Sequence, residues 1–189
     1  NRLRYLAEHK IDFKKVKPAD VIEFFKNQDT FSGFGKLKLG EAFLIKGEKS
    51  KGEKLIIDGF RTAKLSRDDL RYLNKKYKYI LSSENYIQRA KYLAWEQDYW
   101  QLKKTVRYLP TGYKELYFAR FALMTRSYGV DAAIAKVPEK FIDDIGLKYD
   151  RAKWRRKRGR HLSALEIINT LPNDANTLVK PDLWFKEKF

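Results

Sequence analysis

Three segments of this chain begin alike, with alanine, a basic residue and an aromatic ring: Ala90-Lys91-Tyr92, Ala119-Arg120-Phe121 and Ala152-Lys153-Trp154. Their starts are 29 and 33 residues apart, and each closes on an apolar residue and a proline: Leu109-Pro110, Val137-Pro138 and Leu171-Pro172. A break falls midway each time, at Asp98, Gly129 and Gly159, and a second helical stretch follows at 102–108, 132–135 and 162–168. Each unit reads as helix, tight turn, helix, proline stop. Small alanine at the start of the unit lets two helices approach closely, and the ring after it fills the adjoining groove. A single helix pair cannot cover its own apolar face, so successive pairs must stack, and a small rotation per pair generates a superhelix. A weaker earlier copy runs from Ala42 through a break at Gly47 to Gly52 and on to Ile57. Amphipathic hairpins gathered in one bundle would leave similar marks and are the alternative.

Local signals agree on helices. Lys17-Pro18-Ala19-Asp20 puts a proline in the first turn ahead of Val21, Ile22, Phe24 and Phe25. Ser66 can cap a helix with Asp68 and Asp69 in its first turn, after which Leu70, Leu73 and Tyr77 recur at helical spacing. Ser82 or Ser83 can cap the next, whose stripe is Tyr86, Ile87, Ala90 and Leu93 or Ala94. No segment alternates at period two, and Asp58-Gly59 lies inside a helical pattern rather than in a hairpin turn. The expected fold is all-α, a superhelix of stacked antiparallel helix pairs like a tetratricopeptide solenoid. Residues 1–38 supply helices leading into the array, and residues 39–189 form the array itself.

Composition bounds the partners. With 43% hydrophobic and 34% charged residues the chain is a folded protein rather than a disordered one. Apolar runs such as Ala42 to Ile45 are far shorter than the ~20 residues a spanning helix needs, so no membrane span is expected. The opening Asn1-Arg2-Leu3-Arg4 resembles neither a signal nor a transit peptide, which suggests a processed or excised piece. There is no cysteine, and His9 and His161 are too far apart in sequence for a metal-ligand pair, so no cofactor or metal is expected. The net charge of +17 favours an acidic partner: nucleic acid, anionic lipid or acidic cell-wall polymer. Part of that excess is also what a solvated helix surface would carry.

No catalytic constellation stands out. The stretch Gly33-Phe34-Gly35-Lys36-Leu37-Lys38-Leu39-Gly40 lacks the Gly-Lys-Ser/Thr ending of a phosphate-cradling loop and reads as glycines for helix packing. The paired acids Asp68-Asp69 and Asp143-Asp144 point apart on a helix and suit helix starts, where they complement the dipole. No serine or threonine has a readable histidine partner.

The densest charge run lies between Arg151 and Arg160, with Trp154 embedded. Its seven cations cannot share one helix face, so the run wraps around the cylinder and part of it can face the groove of the array. Candidate anion- or glycan-binding residues are Arg151, Lys153, Trp154, Arg155, Arg156 and Arg158. The same cations near a helix C-terminus would also offset the dipole, so both readings stand. Tyr99 or Trp100, beside the break at Asp98, are candidate exposed ring platforms for sugars or bases.

From Leu39 onward the chain resembles the α-superhelical region of soluble lytic murein transglycosylases. The resemblance is carried by Leu39-Gly40-Glu41-Ala42, Asp58-Gly59-Phe60-Arg61, residues 77–83, Arg89 to Trp95 and Ala119-Arg120-Phe121-Ala122-Leu123. Its most specific block is Gly146 to Gly159, followed by Leu171-Pro172 and Pro181-Asp182-Leu183-Trp184. The resemblance implies a ring- or U-shaped array, a periplasmic location, and peptidoglycan glycan strands as partner, with other cell-wall proteins as possible further ones. It also implies that the catalytic glutamate sits in a Glu-Ser pair of a separate lysozyme-like domain. This sequence has no Glu-Ser pair, and its single methionine, Met124, stands in an unrelated context, so no catalytic residue carries over and turnover is left open. Two other classes compete. One is a helical-repeat protein adaptor. The other is a basic nucleic-acid-binding solenoid, disfavoured because the cations cluster in one helix instead of recurring in register.

Overall fold

The computed structural model describes residues 2–12, 15–125, 127–172 and 178–188. Among these it holds twelve α-helices, one short 3-10 helix and no strand. The chain divides into two compact units, Asn1–Tyr92 and Leu93–Phe189.

The first unit comprises α1 (Arg2–Lys10), α2 (Pro18–Phe25), α3 (Gly33–Ile45), α4 (Lys49–Thr62), α5 (Arg67–Lys76) and most of α6 (Ser83–Trp95). Its tightest packing joins α3 to α4, and glycine is the reason. A Cβ on Gly40 would lie 2.9 Å from the Gly52 carbonyl oxygen, and one on Gly59 would lie 2.6 Å from that of Gly33. Two helix backbones touch there, so the glycine-rich stretch serves packing. Ala42, Ile56 and Phe60 are fully buried nearby. The corner between the pair is Gly47, at φ +86°; Gly52, expected to share that break, lies inside α4. Helix α3 runs through residues 38 and 39, so the backbone does not pause where the leading segment was expected to meet the array.

Helices α1 and α2 both pack on α3. The carboxylate of Glu8, buried on α1, accepts the Phe31 N–H at 2.6 Å and the Ser32 N–H at 2.8 Å, while Ser32 caps α3. Ser66 and Asp69 close a reciprocal capping box at the head of α5, and Leu70, Leu73 and Tyr77 are buried behind it. From α5, Tyr72 and Lys76 reach the buried Glu41 of α3: the Tyr72 hydroxyl donates at 2.7 Å and the Lys76 ammonium also donates. Burial would raise the Glu41 carboxyl, but these two donors and the Lys38 charge hold it below its ordinary value. Helix α6 is fixed by Tyr86, whose ring meets Phe60 edge-on, and by the buried Arg89, which donates to the Phe60 carbonyl.

The second unit holds the rest: α7 (Tyr99–Val106), α8 (Tyr113–Thr125), α9 (Val130–Ala135), a 3-10 turn at Glu139–Phe141, α10 (Ile145–Arg156), α11 (His161–Asn169) and α12 (Pro181–Lys188). Helix α8 packs on α7 and α9, and α10 packs on α8, α11 and α12. Trp95, Tyr149, Ala152, Ile167, Ile168 and Trp184 form one core cluster.

The three repeated alanines, Ala90, Ala119 and Ala152, are each 0% exposed. They lie well inside α6, α8 and α10; α6 starts at Ser83 and α10 is capped by Asp144, near the helix starts read at Ser82 or Ser83 and at Asp143-Asp144. The prolines fall past helix ends: Pro110 after α7, Pro138 as the cap of the 3-10 turn, and Pro172 after α11. Corners fall at the expected breaks. Gly129 (φ +77°) and Gly159 (φ +73°) take the left-handed conformation glycine allows, whereas the α6–α7 corner uses Gln97 at φ +57°.

The basic members of the three repeats have separate fates. Lys91 is exposed and Lys153 half-buried. Arg120 is buried against Asp150 in an ion pair of 2.7 Å, with each side chain 1% exposed. Gln97 donates to the other Asp150 oxygen at 3.1 Å and accepts from Lys153 at 2.9 Å. This four-residue chain staples α8 and α10 to the α6–α7 corner. The guanidinium of Arg120 also lies 5.2 Å from the Trp95 ring and 5.8 Å from that of Tyr117. Among the described residues no helix is long and apolar enough to cross a membrane.

Candidate functional site

Helix α10 carries the basic run, and its frame explains how the cations divide. The Asp144 carboxylate accepts the Leu147 N–H at 2.8 Å and fixes the N-terminus. Gly146, Leu147, Tyr149, Asp150 and Ala152 then form its buried face. The basic side chains of the helix are left to the flanks; α10 ends at Arg156, so Lys157, Arg158 and Arg160 lie beyond it, and the run wraps the cylinder only over its first four cations rather than over all seven.

Most of the six candidate residues are engaged within the protein. Lys153 donates to Gln97, and burial together with the Lys157 charge draws its ammonium below the ordinary value. Arg156 donates to Glu187 of α12 at 2.7 Å, and that bond raises its guanidinium. Arg158 lies over the Trp154 ring, 4.5 Å from its centroid, with Arg160 at 5.7 Å. The indole N–H of Trp154 is buried and meets no acceptor among the described residues.

Arg151 and Arg155 differ. They stand four residues apart on one helix face, both half-buried. Arg155 gives one N–H to the Ser163 carbonyl at 2.9 Å. Among the described residues neither has an acid within the 4.0 Å of an ion pair. Burial and the adjacent Arg155 charge pull the Arg151 guanidinium below its ordinary value, with Asp131 opposing from a longer range. Two cations in partial burial, without an ion-pair partner among the described residues, form a ridge on this face.

A groove opens on each side of that ridge. The larger, about 310 Å³, is lined by Ile142, Asp143, Lys148, Glu166 and Ile167 with the two arginines. The smaller and more enclosed, about 200 Å³, has Asp131, Ile134 and Ala135 of α9, Leu123 of α8, and Trp154 beside them. Asp143 of the larger groove is already paired with Lys148 at 2.7 Å, which holds its carboxyl low. Asp131 and Glu166 were not singled out by sequence: Asp131 reads only as a first-turn dipole acid, and nothing in the spacing from 131 to 151 announces that the two share a groove.

Of the expected ring platforms, Trp100 is 61% exposed while Tyr99 is half-buried against it at 5.2 Å. The Lys103 ammonium lies between the rings of Trp100 and Phe121, at 5.9 and 5.6 Å, with exposed Phe118 beyond. This patch on α7 and α8 lines neither groove. No family model, curated protein or solved structure matches the chain.

Proposed function

We propose that this chain is the non-catalytic superhelical scaffold of a periplasmic peptidoglycan lytic transglycosylase, positioning murein glycan strands for a separate catalytic domain. The helix pairs stack as an α-solenoid, and the basic run concentrates acidic wall polymer along it. Peptidoglycan stem peptides carry free carboxylates, and a surface of net charge +17 attracts them at long range. The observation that carries the reading is the Arg151–Arg155 ridge: two half-buried cations with no acid in ion-pair range among the described residues, open to grooves on both sides. Ion pairing and hydrogen bonding with a ligand carboxylate would relieve that repulsion.

Co-sedimentation with purified sacculi, against RNA as competitor, tests it. Binding to sacculi is expected to weaken several-fold between about 50 and 300 mM salt, and further in Arg151→Gln/Arg155→Gln. Salt-insensitive binding unchanged by the double substitution refutes the electrostatic role, and preferential capture by RNA refutes the murein assignment.

A protein-docking adaptor is the second reading, favoured by the exposed rings of Trp100 and Phe118. It requires a partner whose binding is lost in Trp100→Ala and kept in the arginine variant.

A further inference from the structure

We infer that the smaller groove beside α10 receives the free carboxylate end of a short peptide, with Arg151 and Arg155 on the carboxylate and Asp131 on the peptide's amino or amide group. The groove is dipolar. Its arginine wall faces an acid that is close enough to influence Arg151 yet makes no ion pair with it. An inorganic anion would satisfy the arginines and leave Asp131 repelling it. A ligand with a carboxylate at one end and an N–H donor at the other satisfies both walls.

Planar guanidinium groups match a carboxylate through paired N–H donors, a geometry that lysine does not offer. Between the charged walls lie Leu123, Ile134 and Ala135, which suit a small apolar side chain such as methyl. Size narrows the class further. About 200 Å³ lies below the ~300–1,000 Å³ of pockets that enclose drug-sized ligands, so one or two amino-acid residues fit and a sugar strand does not. The larger groove shares the arginines, but it is more open; Lys148 there is already taken by Asp143, and Glu166 opposes a carboxylate. The identification of the occupant as a murein stem peptide rests on the function proposed above; the carboxylate-peptide chemistry does not.

The test uses the full chain and titrates alanyl-alanine in its D,D and L,L forms, the C-terminal amide of the D,D form, and inorganic phosphate. Calorimetry gives affinity, and the Trp154 indole N–H resonance, assigned through Trp154→Phe, reports occupancy. The D,D dipeptide is expected to shift that resonance, and its amide to bind at least about tenfold more weakly. Arg151→Gln and Arg155→Gln should each weaken the dipeptide by about tenfold, with Arg151→Lys intermediate, while helix content by circular dichroism stays unchanged. Asp131→Asn should weaken the dipeptide several-fold without weakening phosphate, and Glu166→Gln should leave the dipeptide unaffected.

Equal binding of the amide overturns the carboxylate assignment. Phosphate binding as tightly as the dipeptide, with Asp131→Asn neutral for both, reduces the groove to a plain anion site and overturns the peptide. Tighter binding of the L,L form moves the source to a protein C-terminus. Sacculus binding that survives while no dipeptide binds sinks this inference and leaves the scaffold reading standing; dipeptide binding without sacculus binding does the reverse.

Discussion

Replacing Asp150 by asparagine probes the centre of the second unit. Asp150 and Arg120 are each 1% exposed, so the substitution leaves a guanidinium in the core without its counter-charge. Asparagine can still accept one hydrogen bond from Arg120, and the Trp95 and Tyr117 rings still attract the cation. What is lost is the charge–charge attraction that offsets desolvation, which for one member of a buried pair is about 3–5 kcal/mol. The guanidinium of Arg120 packs against Gly146 of α10, in the space a Cβ would occupy there. For a chain of 189 residues such a loss lowers the melting temperature by about 6–20 °C. Thermal unfolding by circular dichroism measures it, and hydrogen exchange in α8 and α10 assigns it to the second unit. Replacing both partners, as Arg120→Met/Asp150→Leu, removes two desolvated charges together and should recover most of the loss. A cost below about 1 kcal/mol for Asp150→Asn, or a double variant less stable than the single, would refute the reasoning.

Two further outcomes follow from the first unit. Gly40→Ala or Gly59→Ala would gain up to about 1 kcal/mol of helix propensity at an exposed site, but here each is expected to destabilise by about 1–3 kcal/mol, because the added methyl meets backbone of the facing helix. Urea unfolding reads the sign, and stabilisation by either would contradict the close approach of α3 and α4. Glu41 titrates below its ordinary value in the fold, so its pairing stabilises above the unfolded carboxyl value of about 4.5 and is lost as pH falls through the lower folded one. Stability measured from pH 7 to pH 2 should therefore fall less steeply through this acid range in Glu41→Gln, and an unaltered acid limb would dismiss the Lys76–Tyr72–Lys38 cluster as its cause.

The helical character of the chain was legible because caps, corners and apolar periods are local. Ser66 with Asp69, Pro18, Gly47, Gly129 and Gly159 each act within a few residues of themselves. Burial of Ala90, Ala119 and Ala152 was legible from their recurrence, and the depth of Ala90 and Ala152 inside their helices from the cap signals at Ser82 or Ser83 and at Asp143-Asp144. The basic run was visible, yet its division was not. Arg156 is claimed by Glu187, 31 residues on, and Lys153 by Gln97, 56 residues back. No period in the sequence encodes such pairings; they arise when α12 and the α6–α7 corner meet α10. The ridge of Arg151 and Arg155 is what remains after those partners are assigned, so it could be identified only by subtraction from coordinates.

Gln97 sets the α6–α7 corner apart from the glycine corners that follow it. A non-glycine residue in the left-handed region costs about 1–2 kcal/mol, and glycine fills the same corner in the later pairs. Here the side chain compensates, because it joins Asp150 and Lys153 across the turn. The hairpins are thus not interchangeable modules: grafting a later corner in place of this one would relax the backbone and cut the link between α10 and the turn that braces it.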